Sequence, residues 1–443
     1  MISDLRLKIQ QKQVRLAVIG LGYVGLPVAC EFARVGFNVL GIEIQEERVL
    51  LVNRGESPFD GLEPGLKELV TETVGSGRLR AASDYAGIQE CEVILICVET
   101  PVEKDNLPRY EALRSVLISL GKMLKPGSLV IVESTIAPGT MQSFVKPVLE
   151  ASSGLRVNED FYLGNCPERV MPGKLLSNLR SLSRVIGGMT KETSETMAAL
   201  YQHIVAAEMD AVDCVTAELV KTVENTYRDV QIAFANEIAL ICEQVGGDVW
   251  RVRQLVNKIP GKQMLYAGSG VGGACIPKDP WLLVSSVRDS ELPLKIIPAA
   301  RSINEYMPIH MVMLIQNALA ESGLRLAGAR IFVMGYAYLE NSGDIRNSPS
   351  QVLASRLREM QAEVIIHDPF VPAYQCSPME AARNCDAAVL MVKHQAYRSL
   401  DLVALRQALR SPILVDGRGF FDAEGAAGAG LKYWALGVAK ARE

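Results

Sequence analysis

The chain of 443 residues is poor in the residue patterns that mark metal sites, disulfide frameworks and nucleic-acid binding. Its four histidines, His203, His310, His367 and His394, never stand at metal-ligand spacing, so we expect no metal site. The nine cysteines are scattered and no two form CxxC, which favours reduced thiols and a cytoplasmic protein. The net charge of −4 gives no electrostatic reason to bind nucleic acid or an anionic membrane.

Long apolar segments are also missing. The longest, residues 16–30, contains three glycines and a proline, so it is too short to span a bilayer and fits a strand, a turn and a helix. The first fifteen residues lack the apolar core of a secretion signal. We therefore expect no membrane segment, and a length that suits two or three domains.

The first part of the chain alternates apolar strands with helix-like stretches. Such alternation predicts a parallel sheet covered on both faces. The predicted strands are Arg15–Ile19, Asn38–Ile42, 93–98 and Leu129–Val132, extended by 161–164 and 184–187, and the predicted helices are 24–34, 62–74 and 110–123.

A long helical pattern follows at about residues 211–245, with apolar residues at steps of three and four. Gly246 and Gly247 end it, and Asp248 is placed to cap the next helix. At 1.5 Å per residue, such a helix is on the order of 50 Å long. That length suits a spine that joins two domains and provides a dimer contact.

The last third of the chain repeats the pattern of the first. Strands are predicted at 329–334, Glu363–His367, 386–392 and 412–415, with a helix at 348–360. Both halves can be nucleotide-binding sheets, one for a cofactor and one for a nucleotide-bearing substrate; the alternative is that the second half is a purely structural α/β domain. We predict an α/β protein with two doubly wound Rossmann-like domains joined by a long central helix, divided into 1–205, 206–322 and 323–443.

A dinucleotide-binding fingerprint, Gly20-Leu-Gly22-Tyr-Val-Gly25, follows the first predicted strand and opens a helix. Gly20 permits the tight turn, Gly22 lets a pyrophosphate approach, and Gly25 lets helix and strand pack closely. Glu43 ends the second strand, 18 residues after Gly25, where an acid binds the adenosine ribose hydroxyls and repels a 2′-phosphate. The pattern predicts NAD binding in preference to NADP.

Polar side chains follow two later strands and line one face of the long helix. Thr100 and Thr135 come just past strand ends, where open α/β sheets bind ligands, although each residue alone is more often a turn-former. Lys221 and Asn225 are four residues apart, so they share a helix face and can stabilise an oxyanion. The alternative for Lys221 is a solvated or snorkelling side chain.

The segment Gly268-Ser-Gly-Val-Gly-Gly-Ala-Cys275-Ile-Pro-Lys-Asp279-Pro280 combines a glycine-rich turn with a cysteine and an acid. The glycines allow the backbone to pass close to a ligand. Cys275 can act as a nucleophile and Asp279 as a proton acceptor, whereas we expect Cys30, Cys97, Cys214 and Cys242 to be buried apolar residues. A thiol beside a nicotinamide indicates oxidation of an alcohol past the aldehyde, through a thioester, to an acid.

With these motifs in order, the chain resembles the UDP-sugar 6-dehydrogenases over nearly its whole length. Further matching motifs are Ser134-Thr135, Cys166-Pro-Glu168-Arg169-Val-Met-Pro-Gly173, Lys221-Thr-Val-Glu-Asn225-Thr-Tyr-Arg-Asp229, Asp344-Ile-Arg346-Asn-Ser348-Pro349 and Asp416-Gly-Arg418. The form PERVMPG resembles the branch that acts on UDP-N-acetylhexosamines. The family usually has a Phe-Lys pair where this chain has Tyr338-Leu339.

The resemblance implies a four-electron oxidation of the sugar C6 alcohol to a carboxylate with two NAD⁺. It makes Cys275 the nucleophile that forms a thiohemiacetal and then a thioester, and Lys221 and Asn225 the groups that stabilise the oxyanion. It makes Asp279 an aid to proton transfer through water and Glu168 the base for thioester hydrolysis. Thr135 positions water, Arg346 and Lys278 approach the cofactor, and Arg418 serves the C-terminal nucleotide domain or a closed state.

We therefore predict an NAD-dependent UDP-N-acetylhexosamine 6-dehydrogenase that forms a homodimer, with UDP-N-acetylmannosamine as the first candidate substrate and the galactosamine and glucosamine forms as alternatives. A two-electron hydroxyacid dehydrogenase of the 6-phosphogluconate type and a non-catalytic nucleotide-sugar-binding protein are the competing interpretations. The predicted catalytic residues are Cys275, Lys221, Asn225, Asp279, Glu168 and Thr135. The predicted cofactor-binding residues are Gly20, Gly22, Tyr23, Val24, Gly25, Glu43, Arg48, Val98, Thr100, Thr135, Lys278 and Arg346. The predicted substrate-binding residues are Glu168, Arg169, Lys221, Asn225, Tyr266, Gly272, Tyr338 and Arg418.

Overall fold

A computed structural model describes residues 2–59, 63–169 and 173–439. The chain divides into two compact units: the first holds Met1–Glu224 and Trp281–Glu291, and the second holds Asn225–Pro280 and Leu292–Glu443. The start of the predicted helix 62–74 and the residues Val170, Met171 and Pro172 of the PERVMPG motif lie outside the described residues.

The first unit is built on a sheet that has eight strands among the described residues, in the order β3-β2-β1-β4-β5-β6-β7-β8. Its first six strands follow the order 3-2-1-4-5-6 of the dinucleotide-binding fold. Every neighbouring pair is parallel except β6 and β7, which are antiparallel. The strands are β1 Arg15–Ile19, β2 Asn38–Ile42, β3 Leu79–Ala82, β4 Val93–Ile96, β5 Leu129–Val132, β6 Tyr162–Asn165, β7 Arg184–Gly188 and β8 Met209–Asp213.

Helices cover both faces of this sheet. Strands β4 and β5 are buried along their whole length, as continuous apolar runs with helices on both sides require. Alternate residues of β1 enter different cores: Leu16 and Val18 join one cluster, and Ala17 and Ile19 join the other. The helices are α1 Ile2–Gln10, α2 Gly25–Arg34, α3 Glu46–Asn53, α4 Leu66–Gly75, α5 Glu111–Gly121, α6 Lys146–Ser153, α7 Leu175–Ser181 and α8 Lys191–Tyr201.

Two features of the first unit differ from the sequence-based expectation. The strand at 184–187 extends the sheet as predicted, but it runs antiparallel to β6, so the sheet is not fully parallel. The stretch 209–213, which periodicity assigned in part to the long helix, is strand β8 because it pairs with β7. Strand pairing at the edge of the sheet therefore determines the structure of this stretch, in spite of the helical spacing of its apolar residues.

The second unit contains a sheet of five parallel strands among its described residues, in the order β10-β9-β11-β12-β13. This is the order 2-1-3-4-5 of the other common doubly wound fold. Apolar side chains from both faces of the sheet form two cores, one around Val333 and one around Phe332. The strands are β9 Arg330–Met334, β10 Glu363–His367, β11 Ala387–Leu390, β12 Ile413–Asp416 and β13 Lys432–Ala435.

The long helix α9 spans Cys214–Val245, and the boundary between the units falls inside it. Asp248 caps the following helix as predicted, because its carboxylate accepts the N–H groups of Trp250 and Arg251. A second long helix, of 26 residues, was not predicted and contains Pro308 in its interior. The remaining helices are α9 Cys214–Val245, α10 Val249–Val256, α11 Asp279–Ser285, α12 Ile296–Glu321, α13 Pro349–Glu359, α14 Pro378–Ala382, α15 Leu402–Ala408 and α16 Ala423–Gly428.

The α/β fold with two doubly wound sheets and a long helix between them in the sequence is therefore confirmed. Among the described helices, none is both long enough and apolar enough to cross a bilayer.

Candidate active site

The glycine turn after β1 has the geometry that a dinucleotide needs. Gly20 has φ +92°, and a Cβ there would lie 2.6 Å from the Cys97 carbonyl oxygen. A Cβ on Gly25 would meet the Gly20 oxygen at 1.9 Å, whereas nothing lies within 4 Å of one on Gly22. The turn is thus closed at its first and third glycines and open at the second, where a pyrophosphate would reach the N-terminus of α2.

Glu43 lies at the end of β2, beside this turn. It is 6% exposed, and its carboxylate accepts the Leu21 N–H at 3.2 Å and the Gln45 N–H at 3.1 Å. Arg48 Nη1 donates to the same carboxylate at 2.9 Å. Both predicted cofactor-binding residues therefore stand together at the carboxyl edge of the sheet, with Glu43 fixed to the glycine turn.

Tyr23, also predicted to contact the cofactor, donates its hydroxyl proton to Glu63. Glu63 also accepts the N–H groups of Gly173 at 2.5 Å and Leu175 at 2.9 Å. Burial raises the pKa of Glu63, against the effect of these two N–H donors. Tyr23 is therefore fixed by a buried acid, while its neighbour Val24 is half-buried.

The segments that follow β4 and β5 are tied to each other. The Thr100 hydroxyl donates to the Thr135 carbonyl at 2.6 Å, and the Ser134 hydroxyl donates to the Val98 carbonyl at 2.6 Å. The Thr100 hydroxyl therefore stabilises the turn, and Thr135 remains half-buried at the strand end. Cys97, expected to be buried, is only half-buried, and its thiol donates to Glu133 at 3.1 Å.

Glu168 lies past the end of β6 and is 8% exposed. Its Oε1 accepts the Arg169 N–H at 2.8 Å, and its Oε2 lies 2.5 Å from Arg184 Nη2. Arg169 extends in another direction and forms an ion pair with Glu224 at 2.5 Å. Lys221, on α9, is 9% exposed, so its side chain is buried and not solvated as in the alternative interpretation.

In the second unit, the turn at Cys275 brings together three of the predicted catalytic residues. Cys275 is exposed, and its carbonyl accepts the N–H groups of Lys278 at 3.0 Å and Asp279 at 2.8 Å. Asp279 is completely buried; Asn225 Nδ2 donates to its Oδ2 at 2.5 Å, and Lys278 Nζ lies 2.9 Å from its Oδ1. The acid is held between an amide and a cation, one turn from the thiol.

The glycines before Cys275 approach the protein's own side chains. A Cβ on Gly268 would lie 2.4 Å from Arg418 Nη1, and one on Gly272 or Gly273 would lie 2.6 or 2.7 Å from Tyr338. The Asn347 amide also donates to the Gly273 carbonyl at 3.0 Å. The expected close approach to a ligand is thus, in this structure, a close approach to Tyr338 and Arg418, two residues predicted to bind substrate.

Tyr338 and Arg346 share an electrostatic environment with Cys275. Burial, and then the charge of Asp344, raise the pKa of Tyr338 to about 12. The paired Asp344 carboxylate raises the pKa of Arg346, and a Cys275 thiolate contributes in the same direction for both residues. Arg346 Nη2 lies 2.5 Å from Asp344 Oδ2, so its guanidinium is held in place.

Arg418 and Tyr266 each lie beside charged side chains of the second unit. Arg418 Nη2 is 3.8 Å from Glu340, and burial lowers the pKa of the guanidinium. The exposed Tyr266 ring has the Arg253 guanidinium 3.5 Å and the Lys393 ammonium 4.8 Å from its centroid. A cavity of about 40 Å³, lined in part by Arg418, Tyr338 and Glu340, is by itself too small for a nucleotide.

Sequence reasoning missed several buried polar residues that fix these predicted site residues. Glu218 accepts the N–H groups of Gly139 at 2.6 Å and Met141 at 2.7 Å, and so holds the turn after Thr135. Asn236 Oδ1 accepts the Gly268 N–H at 2.9 Å. Arg184 pairs with Glu168. Their partners are far away in the sequence, so no local motif marks them.

Comparison with known proteins finds three family models along the chain. They are the NAD binding domain, the central domain and the UDP binding domain of the UDP-glucose/GDP-mannose dehydrogenase family, at residues 14–205, 215–306 and 332–423. The chain is 36% identical to a UDP-N-acetyl-D-mannosamine dehydrogenase of Pyrococcus horikoshii, over 91% of this chain and 95% of that protein.

Solved structures agree with the sequence relatives. A structure of UDP-D-ManNAc dehydrogenase from Pyrococcus horikoshii matches with a TM-score of 0.90 and 34% identity, over 96% of this chain and 99% of the other. A structure of NDP-N-acetyl-D-galactosaminuronic acid dehydrogenase from Methanosarcina mazei matches with a TM-score of 0.85 and 35% identity, over 98% of each chain. With the open glycine turn and Glu43 in its first unit, the chain belongs to the UDP-glucose/GDP-mannose dehydrogenase family and is an NAD-dependent nucleotide-sugar dehydrogenase.

Proposed function

We propose that the protein oxidises the C6 alcohol of a UDP-N-acetylhexosamine to the carboxylate in two successive two-electron steps. The observation that carries the proposal is the turn at Cys275, where an exposed thiol stands one turn from a buried acid that Asn225 and Lys278 hold. A two-electron alcohol dehydrogenase has no use for a nucleophilic thiol, whereas a four-electron oxidation needs one to retain the aldehyde.

Bound NAD⁺ supplies the hydride acceptor for each of the two oxidations. After the first, the Cys275 sulfur attacks the aldehyde carbon and forms a thiohemiacetal, whose oxyanion Lys221 and Asn225 stabilise. The second oxidation leaves a thioester on Cys275. Glu168 then takes a proton from water as the water oxygen bonds to the carbonyl carbon; the carbon–sulfur bond breaks, and the thiolate and the acid are released. Asp279 assists proton transfer through water, and Thr135 positions the water.

The remaining predicted contacts are part of the same proposal. The glycine turn, Tyr23, Val24, Glu43 and Arg48 bind the adenosine and pyrophosphate parts of the cofactor, with Val98, Thr100, Lys278 and Arg346 nearer its reactive end. Arg169, Tyr266, Gly272, Tyr338 and Arg418 contact the UDP-sugar. The three-part division into 1–205, 206–322 and 323–443 belongs to the proposal too, and the ranges of the three family models support it.

We take UDP-N-acetylmannosamine as the first candidate substrate, with the galactosamine and glucosamine epimers next. The support is in the names of the relatives: that from Pyrococcus horikoshii is a UDP-N-acetyl-D-mannosamine dehydrogenase, and one from Ralstonia nicotianae, 32% identical, is an NDP-N-acetyl-D-galactosaminuronic acid dehydrogenase. The test is to supply each UDP-sugar, and UDP-glucose as a control, and to count NADH per sugar. Two NADH from one N-acetylhexosamine are expected; one NADH with accumulating aldehyde contradicts the proposal.

The thiol itself is tested by Cys275→Ser. This variant should bind NAD with wild-type affinity, because the glycine turn is untouched, but should form the acid at least about 10²-fold more slowly, since it lacks the nucleophile. Acid production and NADH are measured together. Acid formation at the wild-type rate by the serine variant removes Cys275 from the mechanism.

We further propose a cytoplasmic homodimer. On the part of α9 that lies in the second unit, Tyr227, Phe234 and Ile241 are 63%, 56% and 49% exposed and stand seven residues apart, so they share one face. An exposed apolar stripe of this kind suits a second copy of the chain. Light scattering should give twice the chain mass of 48.3 kDa, and a monomer at micromolar concentration contradicts the proposal.

A further inference from the structure

A buried polar cluster lies behind Glu168 in the first unit. Its members sit at the carboxyl edge of the sheet and are at most 8% exposed, apart from the half-buried Cys97. The cluster consists of Cys97, Glu133, Cys166, Glu168, Arg184 and Tyr201. The proposed reaction uses Glu168 and leaves the other five without a role.

Arg184 reaches Glu168 because β7 runs against its neighbour. The antiparallel ladder pairs Gly164 with Gly188 and Asn165 with Gly187, so β7 begins, at Arg184, on the edge of the sheet where β6 ends. A parallel strand would begin at the opposite edge of the sheet, away from the ligand-binding side. The antiparallel direction of β7 therefore places the Arg184 guanidinium beside the Glu168 carboxylate.

The Arg184 guanidinium has few alternatives to this partner. Nη2 lies 2.5 Å from Glu168 Oε2 in a charge contact, and neither atom makes a hydrogen bond to any other described residue. The guanidinium is centred 4.8 Å from the Tyr201 ring centroid, and Nη1 is 3.8 Å from Cys166 Sγ. Burial alone lowers the pKa of Arg184, but the nearby Glu168, Cys166 and Glu133 outweigh it and raise the pKa overall.

Glu133 fixes the other side of the cluster. It is 3% exposed, and its carboxylate accepts the Tyr201 hydroxyl at 2.5 Å and the Cys97 thiol at 3.1 Å. Burial raises the pKa of Glu133, while the positive charge of Arg184 lowers it. The hydrogen bond to Glu133 therefore fixes the Tyr201 ring, against which the Arg184 guanidinium lies.

We propose that Arg184 is a positioning residue for the hydrolytic half of the reaction: it holds the Glu168 carboxylate turned toward the water that attacks the thioester. The inference rests on the proposed function, because it needs a thioester to hydrolyse. It also separates the two halves of the reaction: the hydride steps require no base at Glu168, so they do not depend on Arg184.

The experiment compares Arg184→Met and Arg184→Lys with the wild type and with a matched control, Arg180→Met. Arg180 pairs with a fully buried acid of the same unit, Glu31, at 2.5 Å, and among the described residues none of its hydrogen bonds or ion pairs reaches a predicted site residue. Each protein is mixed with NAD⁺ and UDP-N-acetylmannosamine, NADH is followed by stopped flow, and the covalent adduct on Cys275 is followed by intact-protein mass spectrometry.

We expect Arg184→Met to release NADH at the wild-type initial rate and then to accumulate the thioester adduct, with hydrolysis slower by about 10²-fold, within the range that a positioned base contributes. Arg184→Lys should lie between the two, since it keeps the charge, and Arg180→Met should behave as the wild type.

An adduct that decays in Arg184→Met at the wild-type rate, or an equal slowing of both half-reactions in a variant that still binds NAD⁺, overturns the inference. If Arg184→Met does not fold, Arg184→Lys decides: an unchanged ratio of the two half-reaction rates rejects the positioning role. A wild-type enzyme that yields one NADH per sugar and no adduct contradicts the proposed function itself, which is a different result.

Discussion

The two sheets of this protein have a glycine turn and an acid at matching positions, but the two acids have different partners. In each, a glycine of positive φ follows the first strand of the βαβ unit, Gly20 at +92° and Gly335 at +90°. In each, an acid follows the second strand, Glu43 after β2 and Asp368 after β10. By sequence pattern alone, both sheets have the beginning of a nucleotide-binding site.

The two turns differ in the distance from the glycine to the next helix and in the partners of the acid. Helix α2 begins at Gly25, directly after the first turn, whereas helix α13 begins at Pro349, well after Gly335. Asp368 is fully buried, and its Oδ2 accepts the N–H groups of Tyr336 at 2.7 Å and Ala337 at 2.9 Å. The second sheet therefore offers neither a helix N-terminus at the turn nor an available acid for a ribose.

The acid of the second sheet also has a histidine as a partner. His394 Nε2 lies 3.0 Å from Asp368 Oδ2, and its Nδ1 accepts the Asn341 N–H at 2.9 Å, so the ring proton is on Nε2 and faces the acid. Burial raises the pKa of Asp368, but the hydrogen bonds from His394 and Ala337 outweigh it, and the pKa falls below its usual value. The comparison teaches that the position of an acid in the pattern does not determine its hydrogen-bond partners.

The largest effects are expected from the glycines. Gly25→Ala places a Cβ 1.9 Å from the Gly20 oxygen, and Gly335→Ala places one 2.5 Å from Val392 Cβ at a φ of +90°. We expect each to lower the free energy of unfolding by about 3 kcal/mol or more, through overpacking and, at Gly335, backbone strain. Urea unfolding followed by circular dichroism measures both.

Gly22→Ala is the matched control for the first turn, because nothing lies within 4 Å of the new Cβ. Its melting temperature should stay at the wild-type value while its NAD affinity falls by about tenfold or more, since the methyl group fills the pyrophosphate position. Gly22→Ala with normal NAD affinity would mean that the first turn, like the second, does not hold the cofactor's phosphates.

Replacing each of the two acids by its amide is expected to have a smaller effect. At Asp368 the effect should fall mainly on stability, and at Glu43 mainly on cofactor binding. Asp368→Asn weakens charge-assisted hydrogen bonds in a buried site, so it should cost about 2–3 kcal/mol of unfolding free energy. Glu43→Gln should cost about 1 kcal/mol or less but weaken NAD binding by about tenfold and reduce the preference for NAD over NADP. Calorimetry with NAD, NADP and UDP, beside chemical unfolding, separates the two. Loss of UDP binding by a stable Asp368→Asn would make Asp368 a ligand-binding residue.

The sequence correctly predicted those features of the fold that depend on interactions between neighbouring residues. The strands Arg15–Ile19, Asn38–Ile42 and Leu129–Val132 have the predicted bounds, and Asp248 caps α10, because buried apolar runs and cap residues act within a few positions. Helix α12 escaped prediction because it is apolar on several faces and contains Pro308, a residue that normally ends a helix.

The direction of β7 could not be read from its residues, which suit either orientation. The pairing of Glu168 with Arg184 depends on that direction, so the sequence pointed to Glu168 through its motif and gave no sign of its partner. The turn at Cys275 is the opposite case: Cys275, Lys278 and Asp279 are sequence neighbours, and only Asn225 comes from a distant segment. The roles of these residues remain predictions.

The turns after β5 and β12 allow the buried carboxylates of the two sheets to be compared. Each is held by a buried carboxylate, Glu218 in the first unit and Asp416 in the second, and burial raises the pKa of both. Asp416 accepts the N–H groups of Arg418, Phe420 and Phe421 and the Tyr433 hydroxyl. Glu218 has two N–H donors, and its pKa reaches about 7. The first turn should therefore respond to pH near neutrality.

Because the folded state holds the Glu218 proton up to about pH 7 and the unfolded state releases it near 4.5, the folded state binds more protons between these values. Stability from this group is therefore complete below pH 4.5 and is lost as the pH rises through 7, by about 2 kcal/mol between pH 5 and pH 8. Glu218→Gln cannot titrate, so its unfolding free energy should vary less with pH than that of the wild type, whereas Glu72→Gln, at an exposed position of α4, should keep the wild-type dependence. Equal pH slopes in all three proteins would show that Glu218 keeps one charge state across this range.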